Sequence, residues 1–195
     1  MLIKSDNCDI LEHFTPECFI RVPLCHQENP YSCGVACVQA ILASYGIIYM
    51  QDVLAEILKQ QPIYGTEYKN ILTFLRMLGF QASFHMEMNV ALLKELINSG
   101  ITPILILQAW KDTSIDYTYD WKDSHYVIAC GYDNNRILFM DPWVLGYYTY
   151  LPNDILMKRW HNFDYSETQC YYAGLVITHD QLPYIYNYDI IKPMD

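Results

Sequence analysis

The sequence predicts an α+β fold in which a helical half precedes a strand-rich half. Up to about residue 100, apolar residues recur at helical spacing between glycine and proline stops. Beyond that point, short apolar runs rich in β-branched and aromatic residues alternate with turn-forming clusters. This segregation along the chain predicts helices on one side and an antiparallel sheet on the other.

Four helices are predicted in the first half, each ended by a residue that disfavours helix. The first three are predicted at 33–45, ended by Gly46, at 51–60, ended by Pro62, and at 67–78, ended by Gly79. The fourth is predicted from Asn89 and ends at Gly100. Thr66 and Asn89 are expected to cap the third and fourth helices, because their side-chain oxygens can accept from free N–H groups.

The strands follow the β-branched and aromatic runs. They are predicted at about 80–85, 103–109, 125–132, 137–141, 146–151 and 171–178. The tyrosine-rich stretch from Tyr184 to Tyr188 alternates like a further strand and is interpreted as edge-strand packing.

Composition limits the class of protein. With 195 residues, 52% of them hydrophobic, the chain predicts a single domain with a real core over about 22–178 and a C-terminal tail at 179–195. The net charge of −10 and pI near 4.9 argue against nucleic acid and anionic membranes as partners, whereas a basic substrate is tolerated. Oligomeric state is left open by the sequence.

Cysteine usage and hydropathy bear on the compartment. Seven cysteines form no paired framework, and the start at 1–6 is not an apolar signal region, which predicts free thiols and a cytoplasmic protein. Export by a route without such a signal stays open. No stretch approaches 18 uninterrupted apolar residues, so no membrane span is expected.

Cys33 is the strongest candidate for a catalytic residue. It lies where a turn leads into an apolar helix, six residues after Gln27. A helix N-terminus presents unpaired N–H groups and a partial positive charge, which favours the thiolate, the form that attacks carbonyl carbons. A buried cysteine that only fills the core is the competing interpretation.

His125 and Asp141 are the candidate partners of that thiol. His125 opens one strand-like run and Asp141 closes the next, so the three residues are interpreted as a cysteine, histidine and aspartate catalytic set. A zinc site using Cys25, His26 and the helix cysteines is disfavoured, because a second ligand pair is missing. No metal and no cofactor are expected.

Hairpin geometry tests this set. A three-residue loop at 133–135 places Asp141 opposite Val127 and diagonal to His125, on one face of the sheet. A two-residue loop at 134–135 shifts the register by one and sends Asp141 and His125 to opposite faces. A catalytic pair therefore predicts the longer loop or a β-bulge.

The chain resembles the bacteriocin-processing, double-glycine cysteine peptidases of the papain-like superfamily. The matching residues are Gln27, the run from Cys33 to Cys37, the run from His125 to Ile128, and Asp141 with Pro142, and the resemblance spans about 22–178. The resemblance implies a papain-like fold in which a helical lobe carries the nucleophile against an antiparallel sheet lobe. The sequence shows no attached transmembrane region or ATPase, so transporter-coupled leader cleavage is not expected.

By that resemblance, Cys33 is the nucleophile, His125 the general base, Asp141 its orienting group and Gln27 a donor to the oxyanion hole. The sequence is thus interpreted as a cysteine peptidase that cleaves an amide bond in a peptide or protein through a thioester. Two alternatives stay open: an acyl transferase or transpeptidase with the same triad, and a catalytically silent peptide-binding module.

The segment 110–123 is the candidate for substrate selection. It joins two predicted strands just before His125, is long for such a connection, and mixes aromatic with acidic residues. We expect it to form one wall of the cleft and to select extended peptides, basic ones included. The residues expected to contact substrate are Trp110, Trp121, Tyr31, Gly34 and Trp143.

Overall fold

A seven-stranded antiparallel sheet forms the centre of the molecule in the computed structural model. The structure describes residues 15–110, 116–181 and 183. The strands are β1 (Cys18–Phe19), β2 (Gln81–His85), β3 (Ile104–Gln108), β4 (Ser124–Tyr132), β5 (Arg136–Met140), β6 (Thr149–Pro152), β7 (His161–Phe163), β8 (Gln169–Tyr171) and β9 (Gly174–Thr178). Six strands lie in the order β2-β9-β3-β4-β5-β6, β1 pairs with β4, and β7 and β8 form a separate ribbon.

Helices cover both faces of the sheet. They are α1 (Cys33–Ser44), α2 (Gln51–Ile57), α3 (Tyr68–Met77), α4 (Val90–Asn98) and α5 (Asn153–Arg159). The core on one face joins α1, α2 and α3 to alternate residues of the central strands, including Ile106 and Ile128. The core on the other face joins α4 and α5 to the residues between them, including Leu107 and Val127. The predicted α+β class is confirmed, and α4 and α5 add a layer on the face that was expected to lack helices.

Helix α1 is buried over most of its surface. Its residues Val35, Ala36, Cys37, Val38 and Ala40 are fully buried. Such a helix is held by packing on several sides rather than by one apolar stripe. The packing fixes the position of Cys33, the first residue of the helix.

The hairpin between β4 and β5 contains a bulge. The backbone N–H of Asp133 donates to the Arg136 carbonyl at 3.0 Å, so the loop is the two-residue one at 134–135. The register then shifts by one residue between Ala129 and Gly131. The expected three-residue loop is not formed, whereas the bulge that was expected as its substitute is present.

The bulge restores the alignment that a catalytic pair requires. Beyond it, Ile128 pairs with Met140, which is the register that places Asp141 on the face of His125. The extra residue of the bulge is Cys130, whose side chain is buried, as its alternation along the strand predicts.

Helices α1, α3 and α4 end close to the predicted stop signals, whereas α2 ends at Ile57, well before Pro62. One of the two predicted caps is confirmed. The Asn89 side chain accepts from the Leu92 N–H at 2.9 Å and caps α4. The cap assigned to Thr66 is wrong. The residue before α3 is Glu67, no side chain caps that helix, and the buried Thr66 hydroxyl has no hydrogen-bond partner among the described residues.

Some short strands and one short helix were not predicted from the sequence. Strands β1 and β7 and helix α5 were not predicted, and the run expected at 171–178 is divided between β8 and β9. The tyrosine-rich stretch from Tyr184 to Tyr188 lies outside the described residues. Within the described ranges, no helix combines the length and the apolar character needed to cross a bilayer.

Candidate active site

Cys33 lies at the first turn of α1 and is 8% exposed. The His125 side chain and the backbone of Tyr126 and Gly34 act on its sulfur to favour the thiolate and lower the pKa of Cys33. Backbone N–H groups stabilise the thiolate over the thiol, because they donate to its negative charge. The helix start thus supplies the polar contacts that sequence analysis expected around this sulfur.

His125 and Asp141 form a buried pair next to this sulfur. His125 Nε2 lies 2.8 Å from Asp141 Oδ1, and both residues are 6% exposed. Because Nε2 faces the carboxylate, the ring presents Nδ1 as its remaining hydrogen-bonding atom for Cys33. Residues that are far apart in the chain therefore lie together at this place.

The protonation of Cys33 and His125 shifts in opposite directions. Burial disfavours the Cys33 thiolate, but the hydrogen bond and charge of His125 outweigh it and lower the pKa of Cys33 below its ordinary value. Burial likewise opposes the imidazolium, yet hydrogen bonds to Asp141 and Cys33 raise the pKa of His125 to about 9. Both shifts favour the thiolate and imidazolium pair over the neutral thiol and imidazole.

Asp141 is held by two further donors that sequence analysis did not anticipate. Its Oδ1 accepts from the backbone N–H of Trp143 at 2.9 Å, and its Oδ2 accepts from the indole Nε1 of Trp110 at 2.9 Å. The Trp143 contact is a turn in which an aspartate accepts from the residue two positions later, and the Asp-Pro step signals such a turn. The Trp110 contact has no signal in the sequence.

Trp110 and Trp143 surround the carboxylate together. Their rings stack with centroids 6.4 Å apart, and the Trp110 backbone has φ of 63°, a left-handed conformation that is uncommon for a bulky residue. Strain of this kind is found where the surrounding structure fixes a side chain for function. The two tryptophans thus meet at Asp141, whereas the sequence assigned them only to substrate contact.

Gln27 lies beside the pair and is 5% exposed. Its backbone N–H donates to the Pro142 carbonyl at 2.9 Å, which joins it to the residue after Asp141. Its side-chain Nε2 donates to the Asn29 carbonyl at 2.8 Å, while the buried Oε1 has no partner among the described residues. One of the two amide hydrogens on Nε2 remains for a ligand.

Gly34 lies inside the site rather than on its surface. A Cβ atom at this position would lie 3.1 Å from Thr66 Cβ and 3.3 Å from Tyr126 Cδ2. The Tyr126 hydroxyl in turn donates to the Thr66 carbonyl at 3.0 Å. Glycine therefore allows α1 to pack against the strand that carries His125.

A groove of about 750 Å³ opens next to this contact. Both Thr66 and Tyr126 line it, so it begins beside Gly34, the residue after Cys33. Other aromatic residues lining the groove are Tyr64, Tyr68, Trp121, Phe163 and Tyr165. The groove is bridged by the Tyr165 hydroxyl, which donates to the Tyr64 carbonyl at 2.9 Å.

The remaining residues assigned to substrate contact lie at two places. Trp121 lines the groove and packs against His161 and Phe163, with ring centroids 4.4 Å and 4.7 Å away. Tyr31 lies elsewhere, in a shallow depression shared with Glu56 and Pro62. Among the described residues, no cluster of histidine, cysteine and acidic side chains suits a metal ion.

Comparison with known proteins places this geometry in a family. The model of the peptidase C39 family matches residues 21–163. The chain belongs to the peptidase C39 family. The match includes every residue of the candidate site, from Gln27 to Asp141, and the chain is a papain-like cysteine peptidase. A comparison with curated proteins finds no match.

Solved structures share the C39 peptidase fold at low identity. The peptidase domain of Streptococcus ComA, a bi-functional ABC transporter, aligns with a TM-score of 0.61 and 18% identity over 82% of this chain and 100% of that one. A C39-like peptidase from Bacillus anthracis gives 0.63 and 16% over 84% and 98%. A double-glycine motif protease from an AMS/PCAT transporter, solved with a leader peptide, gives 0.56 and 17% over 83% and 94%.

In this C39 peptidase, the thiols of Cys25 and Cys37 differ from that of Cys33 in the direction of their pKa shift. Burial raises the pKa of Cys25 to about 11, and burial together with the nearby Cys33 and Asp141 raises the pKa of Cys37 well above its ordinary value. Neither thiol is bonded to an imidazole. Within the described part of this C39 peptidase, the lowered thiol pKa is found at Cys33.

Proposed function

We propose that this C39 peptidase hydrolyses an amide bond in a peptide or protein through a thioester on Cys33. His125 serves as the acid and base, Asp141 orients it, and Gln27 donates to the oxyanion. The observation that carries the proposal is the buried convergence of the Cys33 sulfur, the His125 ring and the Asp141 carboxylate, with 2.8 Å between the last two.

The reaction begins from the thiolate and imidazolium pair. The sulfur attacks the carbonyl carbon, and the electrons of the carbonyl double bond move to its oxygen. As the C–N bond breaks, the imidazolium gives its proton to the leaving amine, and the thioester forms. His125 then takes a proton from water, the hydroxide attacks the thioester carbonyl, and Cys33 leaves as thiolate with the acid product.

The oxyanion has two donors within this arrangement. Gln27 holds one Nε2 hydrogen free, and the backbone N–H of Cys33 lies at the start of a helix, where no carbonyl of that helix reaches it. Loss of one such donor typically costs about 3–4 kcal/mol of transition-state stabilisation. The Asn29 carbonyl that binds Gln27 also accepts from the Ser32 N–H at 3.1 Å and so ties this donor to the residue before Cys33.

The groove supports a peptide substrate. It begins beside Gly34, has aromatic walls, and carries two acidic residues, Asp164 and Glu167, against one lysine, Lys122. This lining suits an extended peptide and tolerates basic side chains. The likeness in fold to the AMS/PCAT protease, which was solved with a leader peptide, supports the same class of substrate.

The test is a peptide-library cleavage profile of the wild-type chain beside Cys33→Ala. We expect internal peptide bonds to be cut by the wild type alone, with products that carry a free carboxylate. Repetition with a high concentration of added amine separates hydrolysis from transfer, because a transferase gives amide products by mass. Equal profiles for the two proteins would overturn the proposal and leave the peptide-binding module.

A further inference from the structure

Another cavity, of about 340 Å³, lies on the face of the sheet opposite α1. Its floor is formed by side chains that point to the α4 and α5 side of the central strands, namely Leu107, Val127 and Phe139. Neither Cys33, His125 nor Gln27 lines it. The volume is within the range of about 300–1,000 Å³ typical of small-molecule sites.

Among the described residues, a single cation lines this otherwise largely apolar cavity. Arg159, the last residue of α5, is half-buried, and its guanidinium lies 4.1 Å from the centre of the Tyr117 ring. In the described ranges no carboxylate forms an ion pair with Arg159. Burial lowers the pKa of this arginine, but a guanidinium keeps its charge in proteins.

The one carboxylate among the described residues of the cavity wall already has hydrogen-bond donors. Asp141 lines the cavity, yet its oxygens accept from His125, Trp143 and Trp110. Among the described residues, the planar fork of Arg159 therefore has no ion-pair partner and is placed to bind an incoming anion. Guanidinium groups bind carboxylates through two parallel hydrogen bonds, and such charge-assisted bonds are stronger than neutral ones.

We propose that this cavity is a second ligand site, which binds a compact apolar group ending in a carboxylate, with the carboxylate on Arg159. Leu107, Val127 and Phe139 take the apolar group, and the ring of Trp110 forms one wall. Trp110 also donates to Asp141, so a ligand in this cavity contacts a residue that holds the catalytic pair. The ligand does not enter the peptide groove.

The experiment is calorimetric titration with matched acids and amides. Two sources share the required chemistry, a free aryl or alkyl acid and the C-terminal residue of a peptide. The probes are therefore 4-phenylbutyrate and acetyl-Gly-Phe, each beside its primary amide. We expect at least one acid to bind about tenfold or more tightly than its amide, because a charge-assisted hydrogen bond contributes about 1.5–3 kcal/mol. The tighter acid identifies the source.

Arg159→Gln is the test variant and Lys158→Gln its control. Both remove one positive charge from the end of α5, but Lys158 is exposed and does not line the cavity. The preference for the acid should be lost in Arg159→Gln, be kept in part by Arg159→Lys, and be unchanged in Lys158→Gln. Circular dichroism establishes that each variant is folded.

Binding must be independent of the catalytic thiol. The same titrations on protein alkylated at Cys33 should give the same dissociation constants, so this test does not depend on the proposed peptidase reaction. Equal binding of acid and amide, or acid binding that survives Arg159→Gln, would overturn the proposal. So would acid binding that is lost when Cys33 is alkylated.

Discussion

The protonation of Cys33 and His125 determines the pH range in which the site can act. The proposed reaction requires the thiolate of Cys33 and the protonated ring of His125 together. The pKa of Cys33 is lowered and that of His125 is raised to about 9, so the pair exists between these two values. The two protons belong to a coupled pair, and a pH profile reports its apparent pKa values.

A bell-shaped profile of kcat/KM follows from these shifts. We expect activity to fall as pH drops through the lowered thiol pKa and to fall again as pH rises past about 9, where His125 loses its proton. In Asp141→Asn the upper limb should move to lower pH, because the carboxylate that raises the His125 pKa is gone. An upper limb that does not move would contradict the role of Asp141.

Trp110 is a positioning residue for Asp141. Trp110→Phe keeps an aromatic ring but removes the indole N–H that donates to Oδ2 at 2.9 Å. A hydrogen bond to a charged group contributes about 1.5–3 kcal/mol, so we expect kcat to fall roughly tenfold or more with little change in KM.

Trp143→Phe is the matched control for Trp110. Its contact with Asp141 uses the backbone N–H, which the substitution keeps, so kcat should change much less than in Trp110→Phe. The upper limb of the pH profile gives a second measure, since a displaced Asp141 supports the His125 charge less well. Equal effects of the two variants on kcat would count against this role.

At the scale of the elements, the bulge in β4 decides which face His125 occupies. Cys130 is the extra residue, so its deletion leaves a regular ladder in which Ala129 and Gly131 keep their partners. Deletion of Ile128 instead shifts the residues of β4 that precede it by one position relative to β5. That shift turns His125 to the other face, away from Asp141.

The two deletions should therefore have opposite outcomes, although each removes one buried residue from the same strand. We expect the Cys130 deletion to be less stable but to keep cleavage activity, and the Ile128 deletion to lose it. Thermal unfolding by circular dichroism measures stability, and peptide cleavage measures the site. Loss of activity in a folded Cys130 deletion, or activity in the Ile128 deletion, would contradict the role given to the bulge.

Sequence periodicity and stop signals predict the long elements well and the short ones poorly. Helix α4 was predicted with its cap because Asn89 acts through contacts local to the chain. Strand β1 was not predicted because it depends on a partner far along the chain. Cys18 and Phe19 form a strand only by pairing with Tyr132 and Gly131. Thr66 was expected to cap α3 from local sequence alone, but its side chain packs against Gly34 and its buried hydroxyl has no partner among the described residues.

The same distinction applies to the candidate site. The positions of Cys33, His125 and Asp141 were predicted because a helix start, a strand start and a strand end each have a local signal. The contact between Trp110 and Asp141 was not predicted, since it joins residues from two loops across the sheet. Its geometry depends on tertiary packing, which spacing along the chain does not encode.

At the scale of the whole molecule, the groove lies between the helical layer and the strands. Thr66 and Tyr68 belong to the helical side, and Trp121 ends the long connection before β4. That connection is anchored by the buried side chain of Gln108, which accepts from the Asp123 N–H at 2.8 Å. A wall held in this way can select substrates.

Trp121→Ala should therefore weaken substrate binding without changing the chemistry. We expect KM to rise about tenfold for a good peptide, since stacking and burial of one aromatic ring contribute about 1.5–3 kcal/mol. Tyr119→Ala, at a residue that is 80% exposed and does not line the groove, should leave KM unchanged. Steady-state kinetics on one peptide separate KM from kcat, and a fall in kcat alone would argue against a substrate wall.

The paired sulfur and imidazole are tested most directly by the alkylation rate of each cysteine, mapped by peptide mass spectrometry near neutral pH. Cys18 and Cys25 are more exposed than Cys33, so fast labelling of Cys33 cannot come from access alone. We predict that Cys33 reacts at least about tenfold faster than any other cysteine and that His125→Ala removes the difference. Uniform labelling, or fast labelling of Cys33 that persists in His125→Ala, would contradict the account.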